Sequence, residues 1–197
     1  GRVTYDYASK YLVEFNFGYN GSERLAAGHR FEFFPAVSAG WVASSEKFWE
    51  PISKYINHFK IRGSYGLVGS DAFASGAPHF LYQNNIGIGS AHNFWTGLPT
   101  SEISKKGPGF YVLAVQDAGW EHVKKFDIGF DMMLFNQLNI TFDYFHDKRE
   151  RILMSRASWP SMLGYWGSKP WSNIGEVENQ GFELSLNWTK QFGKDLT

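Results

Sequence analysis

The chain has 197 residues, enough for one sizeable core, and its 19 Lys plus Arg balance 19 Asp plus Glu. That balance leaves no net field to attract nucleic acid, and the absence of cysteine excludes disulfide scaffolds, thiol nucleophiles and Cys-ligated zinc. Aromatic residues make up 18% of the chain beside 21 glycines, which fits a β-rich protein with aromatic girdles better than a helical one.

The dominant spacing of apolar residues is two, the period of a strand. Arg2 to Ala8 sets Val3, Tyr5 and Tyr7 on one side, and Ser9-Lys10 reads as a tight turn. Tyr11 to Tyr19 then sets Tyr11, Val13, Phe15, Phe17 and Tyr19 against Leu12, Glu14, Asn16 and Gly18. A polar loop from Gly21 to Arg30 leads to a strand over Phe33 to Val42. Pro35 lacks a ladder donor, so a strand end or bulge is expected there. Ser44 to His58 is a medium link with room for a short helix. Phe59 to Val68 again alternates, with Phe59, Ile61, Tyr65 and Leu67 opposing Lys60, Arg62, Ser64 and Gly66.

A very long loop is expected over residues 69–119, rich in Gly, Ser, Asn, His and aromatics. Lys125 to Leu134 alternates Phe126, Ile128, Phe130 and Met132 with Lys125, Asp127, Gly129 and Asp131. Asn136-Gln137 is the next tight turn, followed by a strand over Leu138 to Asp147. A second long loop is expected over 148–173. The last strand sets Phe182, Leu184, Leu186 and Trp188 against Gly181, Glu183, Ser185 and Asn187.

Most of these runs are roughly nine to eleven residues long, the length a tilted strand needs to cross a bilayer. Ordinary soluble strands average closer to about 5–6. No run approaches the ~18 apolar residues of a transmembrane helix. Short turns at one end and long loops at the other match the two ends of an outer-membrane barrel. The patterning admits two architectures, a membrane barrel and a soluble β-sandwich, and strand length and loop alternation favour the barrel. The apolar sets should then face lipid and the charged sets the lumen, because hydrocarbon offers a charge no partner.

Little of the chain carries catalytic chemistry. The six histidines, His29, His58, His79, His92, His122 and His146, form no metal-binding spacing, and no serine sits in a nucleophile elbow. No cofactor, metal or enzymatic activity is therefore expected. The functional candidates are loop aromatics. Phe80, Tyr82, Phe94, Trp95 and Phe110 lie in or near the first long loop, and Trp159, Tyr165, Trp166 and Trp171 in the second. Such rings either stack on a sugar or a partner, or pack over the barrel mouth and its interfacial girdle.

Five blocks in order resemble the SusC/RagA-type TonB-dependent outer-membrane transporters. They are Gly1 to Leu12; Arg30 to Trp41 with its Phe33-Phe34-Pro35-Ala36-Val37 core; Phe59 to Gly69; Trp120 to Phe145; and Asn173 to Leu184. The resemblance implies an all-β, antiparallel transmembrane barrel of about 22 strands, of which residues 1–197 would supply about seven. No plug domain is expected within these residues, so the segment reads as barrel wall with long external loops. The resemblance further implies a Gram-negative outer-membrane location and import of oligosaccharides or peptides. It implies TonB and a SusD-like surface lipoprotein as partners, with membrane lipid around the wall. A surface glycan-binding or adhesin-type β protein without transport is the competing expectation.

Overall fold

The computed structural model describes residues 1–96, 103–156, 158, 160, 162 and 169–190, with side chains at all of these except 89–94, 103 and 110. Among the described residues nine strands are found: β1 Arg2–Tyr7, β2 Tyr11–Gly21, β3 Phe31–Val42, β4 Ile56–Ser70, β5 Asn85–Thr96, β6 Ile103–Val112, β7 Glu121–Leu134, β8 Leu138–Ser155 and β9 Trp171–Trp188. Seven form one antiparallel sheet in the order β1-β2-β3-β4-β7-β8-β9, and β5 and β6 pair as a separate hairpin. Every pairing in the large sheet is between consecutive strands once that hairpin is skipped, so the sheet is an up-and-down meander.

Register turns the period-two runs into continuous rows. Across all seven strands, Tyr7, Tyr11, Trp41, Ile61, Phe130, Phe142 and Leu184 are successive partners. One residue along each strand, the adjoining row reads Asp6, Leu12, Gly40, Arg62, Gly129, Asp143 and Glu183. Successive side chains point to opposite faces, so one face is apolar and the other polar.

Exposure decides which solvent each face meets. The apolar face is the uncovered one: Phe182 is 76% exposed, Leu184 60% and Ile128 46%. The polar face is the concave one, with Asp6, Glu14, Lys60, Arg62 and Asp127 around a hollow of about 550 Å³. A soluble sandwich would bury the apolar rows instead. The observed inversion is stable only where hydrocarbon covers the outside.

Two turns close hairpins at one end of the sheet, each through two consecutive left-handed residues. They are Ala8 (φ 56°) with Ser9 (φ 55°), and Phe135 (φ 54°) with Asn136 (φ 54°). Both turns start one residue earlier than the sequence suggested, because this primed geometry matches the twist of the flanking strands. Asp6 supports the first by accepting the Ser9 N–H at 2.7 Å. The link expected to hold a short helix forms two 3₁₀ turns, Ala43–Ser45 and Lys47–Ile52. There Trp49 stacks on Phe59 at 5.3 Å. Pro35 falls where the β3–β4 ladder stops: it pairs with Phe17 of β2, while pairing with β4 begins only at Ala36.

The long-loop end departs further from expectation. The region read as a loop over 69–119 contains the β5–β6 hairpin, whose base is pinned by Val115 N–H to Leu81 C=O at 2.7 Å and Leu81 N–H to Arg24 C=O at 3.3 Å. The second loop, expected over 148–173, is shorter: β8 runs to Ser155 and β9 starts at Trp171. Each of those strands has 18 residues, about 60 Å at the strand rise, so both project well beyond a bilayer. A compact cluster fills this end: Leu25, Phe34, Phe73, Leu81, Ala118, Trp120 and Leu153 are buried, with Leu67, Val115 and Trp171 against them.

Candidate functional site

The polar inner face is organised around Arg62. Its Nη2 lies 2.6 Å from Asp143 Oδ1 and donates a hydrogen bond to Asp143 Oδ2 at 2.7 Å. Nη1 stands 3.5 Å from Asp127 and Nε 3.4 Å from Asp131. Three carboxylates from β7 and β8 thus converge on one guanidinium from β4, whose planar fork of donors suits several oxygens at once. Thr141 donates to Asp131 at 3.1 Å and completes the network.

Local sequence makes this convergence fit. Asp127 and Asp131 are four apart on one strand and so share its face. Gly129 stands between them, opposite Asp143 in register. A Cβ at Gly129 would overlap the Asp143 carboxylate and the Phe142 carbonyl, so only glycine lets Asp143 lean across towards Arg62. Further pairs continue the pattern, with Arg2 to Glu14 at 2.6 Å and Lys125 to Asp147 at 3.2 Å. An inner wall lined by paired charge stays wet or faces a polar filling, while the outer wall holds no charge in its central rows.

The aromatic candidates are not gathered into one site. Trp95 lies on β5 opposite Ser104 and is 63% exposed. Trp171 is no loop residue: it is the first residue of β9, paired with Ser155 and half-buried against the cluster at the long-loop end. These two therefore stand on different sheets. Trp159, Tyr165 and Trp166 lie outside the described residues, as do the side chains of Phe94 and Phe110. Phe80 packs edge-on against His79 at 4.7 Å, and Tyr82 lies 5.8 Å beneath the Arg30 guanidinium, so both are engaged locally. The Arg62 network was not singled out in the sequence, where its four members read only as separate lumen-facing charges.

An antiparallel meander with apolar rows outside, paired charge inside and long elements at one end defines a transmembrane β-barrel wall. The chain belongs to the TonB-dependent receptor-like β-barrel family, whose model matches residues 1–197. It is 31% identical over 198 residues to TonB-dependent receptor P3 of Formosa agariphila, covering 100% of this chain and 18% of that protein. It is 25% identical over 209 residues to TonB-dependent receptor SusC of Bacteroides thetaiotaomicron, covering 100% of this chain and 19% of SusC. Among solved structures, the RagAB peptide importer in its open-open state superposes with a TM-score of 0.79 at 19% identity, over 98% of this chain and 19% of that one. The chain thus spans about a fifth of the length of the relatives it matches. The family is one of receptors and transporters.

Proposed function

We propose that this chain is part of the wall and outer rim of an outer-membrane importer driven through TonB, carrying oligosaccharides or peptides beneath a SusD-like lipoprotein. The observation that carries the reading is the inversion of the sheet, with bare apolar rows outside and an ion-paired polar hollow inside. Such a wall separates hydrocarbon from a polar path, which is what an import pore requires. The names of the relatives, TonB-dependent receptors and a peptide importer, support the same direction. In this reading the exposed Trp95 and the half-buried Trp171 belong to the outer end and contact cargo or the covering lipoprotein.

The test is uptake by cells. Cells with and without the full-length gene are given fluorescent oligosaccharides and peptides, before and after collapse of the proton gradient. Gene-dependent entry that stops with the gradient supports import. Gene-dependent surface binding with no gradient-dependent entry would instead make the protein an adhesin.

A further inference from the structure

A second polar hollow lies at the outer end, separate from the Arg62 network. Its lining includes Gln116, Asp117, Arg151, Arg156, Trp171 and Asn173, and it encloses about 560 Å³. Two guanidinium groups line it against one carboxylate. Among the described residues neither Arg151 nor Arg156 has a carboxylate within ion-pair distance, although nearly every other charge on β8 is paired. The connecting residues 157–168 contain no Asp or Glu in sequence.

The backbone under the hollow is held in a costly shape. Arg151 is left-handed at φ 59°, inside the first of two register shifts of the β8–β9 ladder, the one between Arg149 and Ile152. A non-glycine residue keeps that conformation only where neighbours dictate it. They do so here. Asn173 Nδ2 donates to the Arg151 carbonyl at 2.7 Å and to the Gly119 carbonyl at 3.0 Å, while Gly119 N–H donates to Asn173 Oδ1 at 3.0 Å. The buried Glu121 accepts the Leu153 N–H at 3.1 Å. The end of the Arg151 guanidinium lies directly over Gly119, in the space a Cβ there would take. Arg156 donates to Ser172 Oγ at 3.3 Å and leaves the rest of its fork free of any ion pair.

We propose that this hollow is an anion subsite that takes a carboxylate or sulfate group of an oligosaccharide cargo between Arg151 and Arg156, with the indole of Trp171 beside the sugar ring. Guanidinium forks match planar carboxylates and sulfates, and aromatic faces pack on sugar C–H surfaces. The proposal rests on the import reading for the word cargo, and its test is binding alone.

The full-length protein in detergent is labelled with 5-fluorotryptophan, and the Trp171 resonance is assigned with Trp171→Phe. Trigalacturonic acid, a sulfated carrageenan disaccharide and neutral maltotriose are titrated in parallel. Either anionic sugar should move the Trp171 resonance, the responding one naming the acid group, and maltotriose should not. Arg156→Gln, an exposed position outside the strands, should weaken the response about tenfold, and Arg151→Gln/Arg156→Gln should abolish it. No response to either anion, an equal response to maltotriose, or an unchanged titration in Arg156→Gln would overturn the subsite. A saturating titration in a protein that fails the gradient-dependent uptake assay would leave the subsite standing and remove the import reading alone.

Discussion

The membrane band and the long-loop end obey opposite rules within the same strands. In the band, Phe126, Ile128, Phe182 and Leu184 are uncovered while Arg62 and its three aspartates pair on the inner face. Beyond it, Leu25, Leu81 and Leu153 are fully buried, and charges such as Lys124 and Lys148 stand in the rows that carry apolar side chains lower down. The β7–β8 register runs unbroken from Leu134 and Leu138 to His122 and Glu150, while the surroundings change. Where hydrocarbon ends and water begins, the sheet reverts to an ordinary apolar core.

The comparison breaks first at that core. Phe34→Ala, which removes a ring packed edge-on against Trp120 at 5.4 Å, should cost about 3–5 kcal/mol in urea refolding of the full-length protein into lipid vesicles. In the band, Ile128→Lys should cost about 2–4 kcal/mol in the same assay, whereas Lys124→Ile, two turns of the pleat higher, should change stability by less than about 0.5 kcal/mol. Equal penalties for charge at 124 and 128 would move the edge of the membrane. Inside the wall, Arg62→Met strands three carboxylates and should cost about 1–3 kcal/mol, while Asp127→Asn, which loosens only the 3.5 Å contact, should cost below about 1 kcal/mol.

The smallest effect belongs to the opposite end. Hydrogen bonds from Lys10 and from Tyr11 hold the Glu46 carboxyl below its usual value of 4.5. A carboxyl depressed in the folded state stabilises the fold above its unfolded value, and that stabilisation is lost as pH falls through the folded one. Stability should therefore decline on acidification below about pH 4.5, and Glu46→Gln should flatten that part of the profile measured by urea midpoints.

How much of this was legible follows the same division. The seven strands of the wall could be read from alternation because bilayer and lumen select opposite residues at successive positions, as in Lys125 to Met132. Where water lies on both faces that contrast vanishes. Lys148 to Arg151 therefore looked like a loop although β8 continues to Ser155, and Asn85 to Thr96 hid a strand behind glycines and irregular register. The face of Arg62 was legible, but its meeting with Asp143, 81 residues away, depends on two registers that no local pattern encodes. Trp171 was singled out for its ring and misplaced in a loop. Arg151 and Arg156 beside it, without a carboxylate partner among the described residues, sit in no spacing that marks a site, because their meeting depends on the β8–β9 register.

The inversion of the sheet is the claim on which the rest depends, and β7 tests it most directly. Residues 1–197 contain no cysteine, and single cysteines can be placed at positions 124 to 133 of the full-length protein, with any cysteine elsewhere replaced, then spin-labelled and reconstituted in lipid. Residues 126, 128, 130 and 132 should collide with oxygen dissolved in the bilayer, and 125, 127, 129 and 131 with a water-soluble nickel chelate, in strict alternation. Alternation of the opposite phase, or equal access of both probes along the strand, would contradict a wall whose apolar face meets lipid.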